Sequence, residues 1–305
     1  MCLSARLPDR ISSPTITRPK ARGSGGRGGG VIRQSYRGRD VPGLPYHRRM
    51  DKIRVNGVGI EVQRVPGPDG GRRVPIVFLH EGLGSVAMWR DWPAQVCAAA
   101  ARPGVVYSRR GYGRSDPVPD VRGRGRLGPD YMHREAFEVL PALLAALQVE
   151  APVLLGHSDG GTIALLHASR FPVTACVVMA PHVIVEDCSV SSIEAARGAF
   201  EANGLRDRLR RYHADVDGAF WQWNNIWLSP AFRDFDIRAE CRGIEAPLLA
   251  IQGEDDPYGT LRQIHEIEPR GRYVTQVLAQ CGHSPHRDQP ERTKRAVTDF
   301  LAGLP

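Results

Sequence analysis

The chain of 305 residues is long enough for one large α/β domain or two smaller domains, and 42% hydrophobic with 24% charged residues is ordinary for a soluble globular protein. No apolar run approaches the roughly 20 residues of a membrane-spanning helix, which excludes that class. The net charge of +8 lies in residues 1–50, which carry eleven Lys and Arg against two Asp, so the other 255 residues carry about −1. We therefore expect neither nucleic acid nor a membrane as a partner of the main domain.

Residues 1–49 are rich in Arg, Gly, Ser and Pro, with SGGRGGG at 24–30. This composition cannot bury enough apolar surface to fold. We expect a disordered basic extension, or a stretch that precedes a true initiator at Met50. A targeting peptide is the alternative, although the stretch lacks a regular amphipathic pattern and the apolar core of a secretory signal.

The six cysteines are scattered along the chain without a C-x-x-C pair. They predict neither a disulfide framework nor a zinc site. A reducing, cytoplasmic setting is the simplest inference, and we expect no metal and no cofactor.

From Met50 onward, strand-like and helix-like segments alternate. Residues 51–65 are typical of a hairpin that turns at Asn56-Gly57. Short apolar runs of the kind found in buried parallel strands follow at 74–80, 104–108, 152–156, 173–181, 247–253 and 273–279. A helical segment follows the loop at 81–85 and ends at about residue 101. Two more are predicted, at 135–147, where Pro141 marks a kink or a start, and at 161–170. The alternation predicts an α/β fold with a mostly parallel, doubly wound sheet.

Residues 182–246 interrupt this alternation. The interval has no strand-like run and is too long for a plain connection, so we interpret it as a helical subdomain inserted between two strands. It holds three tryptophans, Trp221, Trp223 and Trp227. These side chains either fix the insert to the core or line a substrate pocket, since ligand sites favour domain junctions and aromatic walls.

The stretch GHSDG at 156–160 fits the pattern G-x-S-x-G. An apolar strand precedes it and a helical segment follows, which is the context of a nucleophile elbow that exposes a serine hydroxyl above the sheet. Glycine is needed at 156 and 160 because a side chain there would collide with the tight backbone crossing. Ser158 is therefore the candidate nucleophile, and it needs a base and an orienting acid.

An acid and a histidine follow in the expected order, each on a loop after a strand. Asp256 is the predicted acid because it is the third residue after the glycine of IQGEDD, and Asp255 stays the alternative. His283 is the predicted base because Gly282 precedes it, whereas His286 orients a loop or lies near the pocket. The predicted oxyanion donors are the backbone N–H of Asp159 and one in the loop after the first parallel strand, Gly82.

Five motifs in order carry a family resemblance: FLHEGLG at 78–84, SRRGYGRSD at 108–116, GHSDGG at 156–161, GEDD at 253–256 and GHSPH at 282–286. Together they resemble the alpha/beta-hydrolase fold superfamily, in its cap-bearing esterase and carbon–carbon hydrolase branch, over about residues 51–305. The resemblance implies a hydrolase core at 50–181 and 247–305, and a mobile helical cap at 182–246.

The chain departs from that family at one position, because it has His80-Glu81-Gly82 where His-Gly is usual. A carboxylate beside an oxyanion would repel it, so we expect Glu81 to point away, and the second oxyanion donor stays open between Glu81, Gly82 and Leu83. His80 is expected to hydrogen-bond the loop. The arginines after the second parallel strand form either an anion-binding rim or, more simply, a solvated face; they are Arg109, Arg110 and Arg114.

These residues predict a serine hydrolase that cleaves a small-molecule carboxylic ester or thioester through an acyl-enzyme. The same residues would also support hydrolysis of a carbon–carbon bond beside a ketone, as in a ring-fission diketone. A non-catalytic ligand receptor on this scaffold is the alternative from another class, although binding needs no proton shuttle. The resemblance also implies that a serine at the elbow speaks against epoxide hydrolase and haloalkane dehalogenase chemistry, which uses a carboxylate there.

Overall fold

A single nine-stranded sheet lies at the centre of the structure, a computed structural model that describes residues 34–36, 50–68 and 73–304. The strand order across the sheet is β1-β2-β3-β5-β4-β6-β7-β8-β9. The strands are β1 (Gln34–Tyr36), β2 (Met50–Val55), β3 (Val58–Val65), β4 (Ile76–Leu79), β5 (Gly104–Ser108), β6 (Val153–His157), β7 (Ala175–Met179), β8 (Leu248–Gly253) and β9 (Tyr273–Leu278).

The sheet is mostly parallel, as predicted. β1, β2 and β3 pair antiparallel, and β3 pairs antiparallel with β5, whereas every pair from β5 to β9 is parallel. The hairpin between β2 and β3 turns at Asn56 and Gly57, both with positive φ (49° and 82°), which suits the twist of a two-residue hairpin. The chain runs outward from β4 to β5 and then returns past β4 to β6, so the strand order reverses there. Ligands of open α/β sheets bind beyond the carboxyl ends of strands at such a reversal.

Helices cover both faces of the sheet. They are α1 (Trp92–Ala99), α2 (Tyr131–Arg134), α3 (Leu140–Leu147), α4 (Asp159–Ala168), α5 (Asp187–Glu201), α6 (Gly204–Leu209), α7 (Val216–Trp227), α8 (Arg238–Cys241), α9 (Arg262–His265), α10 (Pro285–Asp288) and α11 (Pro290–Leu301). No helix of the described residues is both long enough and apolar enough to cross a membrane.

The core forms two layers because successive strand residues point to opposite faces. In β4, Val77 and Leu79 belong to the layer that α3 and α4 cover, whereas Ile76 and Phe78 belong to the layer that α1 and α11 cover. All four side chains are fully buried. The apolar runs of the sequence are therefore explained by burial on both sides of the sheet.

The interval between β7 and β8 is helical, as predicted, and contains α5 to α8. Its one extended pairing is an isolated bridge between Ile184 and Asp236. The predicted helix at 135–147 begins earlier, at α2, and continues through a π-helical turn over Glu135–Val139 before Pro141 enters the first turn of α3. Of the predicted disordered extension at 1–49, the structure describes only β1, and the rest of that prediction lies outside the described residues.

Candidate active site

Ser158 lies at the sharp turn between β6 and α4. Its backbone has φ 53° and ψ −121°, a combination that side-chain-bearing residues rarely adopt, and its N–H is held by the carbonyl of Met179 at 2.9 Å. A Cβ on Gly156 would overlap the carbonyl oxygen of Gly160, and a Cβ on Gly160 would overlap that of Leu79. The absence of a side chain at Gly156 and Gly160 therefore permits the turn that presents the serine hydroxyl.

His283 reaches Ser158 from the loop after β9. Its Nε2 lies 2.9 Å from Ser158 Oγ, and its Nδ1 lies 2.8 Å and 3.0 Å from the two carboxylate oxygens of Asp256. The loop after β8 passes so close to the histidine loop that a Cβ on Gly253 would overlap the carbonyl of Cys281. This close approach brings the acid under the imidazole.

Asp256 differs from its two acidic neighbours. Its carboxylate is 1% exposed and also accepts hydrogen bonds from the Tyr258 N–H and the Gln252 amide, both at 2.8 Å, whereas Glu254 and Asp255 are exposed. Burial alone would raise the pKa of Asp256, but the hydrogen bond and charge of His283 hold it below its usual value. Asp256 is therefore ionised at neutral pH and fixes the proton of His283 on Nδ1.

The two predicted oxyanion donors lie on the loops after β4 and β6. Among the described residues, neither the N–H of Gly82 nor that of Asp159 has a hydrogen-bond acceptor. Asp159 is the first residue of α4, where a helix leaves its N–H groups free. The indole of Trp223 lies directly against Gly82, where it would overlap a Cβ on that residue.

The Asp159 side chain is enclosed beside the nucleophile. Its Oδ2 accepts a 2.7 Å hydrogen bond from the Tyr131 hydroxyl and lies 3.6 Å from the guanidinium of Arg109. Burial raises the pKa of Asp159, and Arg109 and Tyr131 oppose that shift. Arg109 is only 4% exposed, so the prediction that it lies on a solvated face is wrong. Its guanidinium instead compensates the charge of a buried carboxylate. Arg110 and Arg114 are exposed.

Glu81 points away from the Asp159 N–H. Its carboxylate lies 3.5 Å from His157 Nδ1 and 3.2 Å from the guanidinium of Arg287. Its backbone carbonyl accepts hydrogen bonds from His80 at 2.6 Å and from Arg109 at 3.0 Å. His80 thus hydrogen-bonds this loop, as predicted.

The three tryptophans of the insert do not share one environment. Trp223 contacts Gly82 in the loop after β4. Trp227 donates a 3.1 Å hydrogen bond to the Tyr131 hydroxyl, and its ring centre lies 4.8 Å from that of His182 in the loop after β7. Trp221 packs against Phe220 and under the guanidinium of Arg122, 3.9 Å from its ring centre, and is not brought to the triad residues. Residues 223 and 227 are one helical turn apart, whereas 221 faces another side of α7.

Two aromatic residues near His283 were not singled out by sequence. The Tyr258 ring centre lies 4.6 Å from that of His283, and the His182 ring lies 5.6 Å from it. Burial and then the proximity of His283 lower the pKa of His182 to about 3, so this imidazole is neutral. His182 follows β7 at the same edge of the sheet as Ser158, a position that could have indicated its proximity.

Comparison with known proteins identifies the family. Residues 76–296 match the alpha/beta hydrolase family, and the nucleophile turn lies within the matched region. This chain belongs to the alpha/beta hydrolases. The predicted fold class is thereby confirmed.

Known relatives of this alpha/beta hydrolase have different named activities. The chain is 23% identical to protein phosphatase methylesterase 1 of Bos taurus over 93% of each protein. It is 25% identical to 2-hydroxymuconate semialdehyde hydrolase of Pseudomonas sp. (strain CF600), over 77% of this chain and 89% of that protein. The solved structure of the enol-lactonase from Burkholderia xenovorans LB400 superposes with a TM-score of 0.61 at 19% identity, over 81% of this chain and 98% of that one. This structural likeness shows the fold alone.

Proposed function

We propose that this protein is a serine hydrolase that cleaves a carboxylic ester or thioester through a covalent acyl-enzyme. The observation that carries the proposal is the continuous hydrogen-bonded chain from Asp256 through His283 to Ser158. Nucleophile, base and orienting acid within hydrogen-bond reach define the chemistry of acyl transfer. A methylesterase and a hydrolase among the relatives fit this assignment.

The geometry supports a two-step reaction. Because Asp256 holds the proton on Nδ1, Nε2 of His283 is free to accept the proton of Ser158 as Oγ attacks the carbonyl carbon. The imidazolium then protonates the leaving alcohol or thiol. A water molecule, deprotonated by the same nitrogen, attacks the acyl-enzyme and releases the acid. The chain's own side chains supply every proton transfer, so this mechanism requires no metal or cofactor.

The charge that develops on the carbonyl oxygen needs preorganised donors. The N–H groups of Asp159 and Gly82, which have no acceptor among the described residues, are the donors we propose, and the Glu81 carboxylate is directed at His157 and Arg287 instead. Arg109 supports the arrangement, because it neutralises the Asp159 carboxylate that would otherwise oppose a neighbouring oxyanion.

We also propose that the insert at 182–246 caps the site. Besides the two tryptophan contacts, His213 hydrogen-bonds the carbonyl of Leu83 and the N–H of Gly113, both at 3.0 Å. The insert therefore touches the loops after β4 and β5. Trp223 and Trp227 would form the aromatic wall of a pocket for a small-molecule acyl group. The predicted cytoplasmic setting stays a prediction.

The test is a substrate panel with purified protein and its Ser158→Ala variant. p-Nitrophenyl acetate and butyrate report ester cleavage, acetyl-CoA with a thiol reagent reports thioester cleavage, and a ring-fission diketone reports carbon–carbon cleavage. We expect a burst of nitrophenolate with the esters, abolished in the variant. Turnover of the diketone alone would favour carbon–carbon hydrolysis. Tight binding of a substrate without turnover would contradict catalysis and favour a receptor.

A further inference from the structure

A second carboxylate and imidazole lie directly behind the proposed base. Glu81, which stands where the family usually has glycine, directs one carboxylate oxygen at His157 Nδ1 (3.5 Å) and the other at Arg287 (3.2 Å). The side chain of His157 is 1% exposed and that of Glu81 is 15% exposed. Both side chains are thus largely screened from water, so an electrostatic interaction between them is stronger than it would be at the surface.

The opposite nitrogen of His157 holds the catalytic loop. Nε2 lies 2.6 Å from the backbone carbonyl oxygen of His283. A carbonyl only accepts, so Nε2 of His157 donates this hydrogen bond. Nδ1 makes no hydrogen bond among the described residues and lies 3.5 Å from the Glu81 carboxylate.

The ionisable groups around His157 differ in charge. Burial would raise the pKa of Glu81, but His157 and Arg287 hold it well below its usual value, so the carboxylate is charged. The rings of His286, His283 and Trp89 pack against His157, with centres 4.9 Å, 5.2 Å and 6.5 Å from its own. Burial lowers the pKa of His286 well below the usual value, so this imidazole is neutral. The His286 ring contacts Trp89 and Trp92, and neither of its nitrogens has a hydrogen-bond partner among the described residues.

We propose that Glu81 and His157 are positioning residues that hold the His283 backbone and thereby fix its imidazole between Asp256 and Ser158. The order of groups is the same as in the proposed triad. The Glu81 carboxylate lies beside one nitrogen of the His157 imidazole, and the other nitrogen hydrogen-bonds the His283 carbonyl. Neither side chain touches the reacting atoms. The inference rests on the proposed serine hydrolase function, since it assigns these residues to that reaction.

Two kinetic properties follow from this role. A misplacement of the base by about 1 Å costs on the order of 100-fold in rate without weakening substrate binding, so kcat falls while KM is retained. Because Glu81 is proposed to act on the base through His157, removal of both should cost little more than removal of one. Two residues with independent structural roles would instead give losses that multiply.

The experiment compares Glu81→Gln, His157→Gln and the double variant with p-nitrophenyl acetate. We expect kcat to fall 10- to 100-fold in each single variant with KM within threefold of wild type, and the double variant to lose no more than a further threefold. Glu291→Gln is the matched control, because Glu291 is exposed on α11 and pairs with Lys294; wild-type kinetics are expected. Unchanged kcat in Glu81→Gln, or multiplicative losses, would overturn the inference.

Substitution of Glu81 or of the buried His157 could prevent folding, so Arg287→Ala provides a second test at a more exposed residue. Arg287 is 40% exposed and holds the outer oxygen of Glu81, so its loss should lower kcat 3- to 10-fold with melting temperature retained. In the folded variants, the downfield proton resonance of His283 Nδ1–H should broaden or shift. An unchanged resonance together with wild-type kcat would show that the pair does not position the base. Wild-type hydrolysis of the ester is measured first, so that failure of the proposed function is seen separately.

Discussion

Replacement of Asp256 by Asn removes the carboxylate from the proposed triad while retaining its shape. Both oxygens of Asp256 lie within 3.0 Å of His283 Nδ1. An amide at this site favours the tautomer with its proton on Nε2, which then faces Ser158 as a donor and cannot accept its proton. In a serine-protease triad the same change lowers kcat by about 10⁴-fold. At about 1.4 kcal/mol per tenfold, this loss corresponds to about 5.5 kcal/mol of transition-state stabilisation.

The assay is steady-state hydrolysis of p-nitrophenyl acetate, with circular dichroism to verify folding. Asp255→Asn is the matched control, because Asp255 is adjacent in sequence, exposed, and without a hydrogen bond to His283 among the described contacts. We expect Asp256→Asn to lose 10³- to 10⁴-fold in kcat and Asp255→Asn to stay within threefold of wild type. Retention of a tenth of wild-type activity by Asp256→Asn, or an equal loss in Asp255→Asn, would refute the assignment of the acid.

Three further substitutions test the surroundings of the nucleophile. Gly160→Ala drives a methyl group into the carbonyl of Leu79 and should destabilise the fold by about 1–3 kcal/mol or more in urea unfolding; a variant as stable and active as wild type would contradict the elbow geometry. Tyr131→Phe deprives the buried Asp159 carboxylate of a 2.7 Å hydrogen bond and should cost about 1–3 kcal/mol of stability, measured the same way. Burial raises the pKa of Glu135 to about 7, so the folded state favours its neutral form, and its contribution to stability is lost as pH rises from about 4.5 to 7. Glu135→Gln should remove that loss, and equal pH dependence in both proteins would refute the shift.

The nucleophile turn could be predicted because its determinants are local. A strand, two glycines around a serine and a helix fit within about fifteen residues, and the backbone collisions expected at Gly156 and Gly160 are those found in the structure. Asp256 and His283 could be predicted from chain order, since parallel strands deliver the loops that follow them to one edge of the sheet. The structure brings these residues together, and their catalytic roles remain proposals.

The support around these residues could not be predicted because its members are distant in sequence. Glu81 contacts Arg287, which is 206 residues away in sequence, and no local sequence pattern predicts that contact. In the sequence, Arg109 has the features of a surface arginine, because its partner Asp159 is 50 residues away. The separation of Trp223 and Trp227 by four residues did contain a usable signal, since it places them on one helix face and Trp221 on another.

The most direct test of the central claim is labelling of the folded protein with a fluorophosphonate, followed by mass spectrometry of its peptides. A serine activated by the His283 and Asp256 pair should gain one phosphonyl group on the peptide that contains Ser158, with complete loss of esterase activity, and Ser158→Ala should remain unlabelled. Absence of labelling in folded wild-type protein, or equal labelling of Ser158→Ala, would contradict the assignment of Ser158 as the nucleophile.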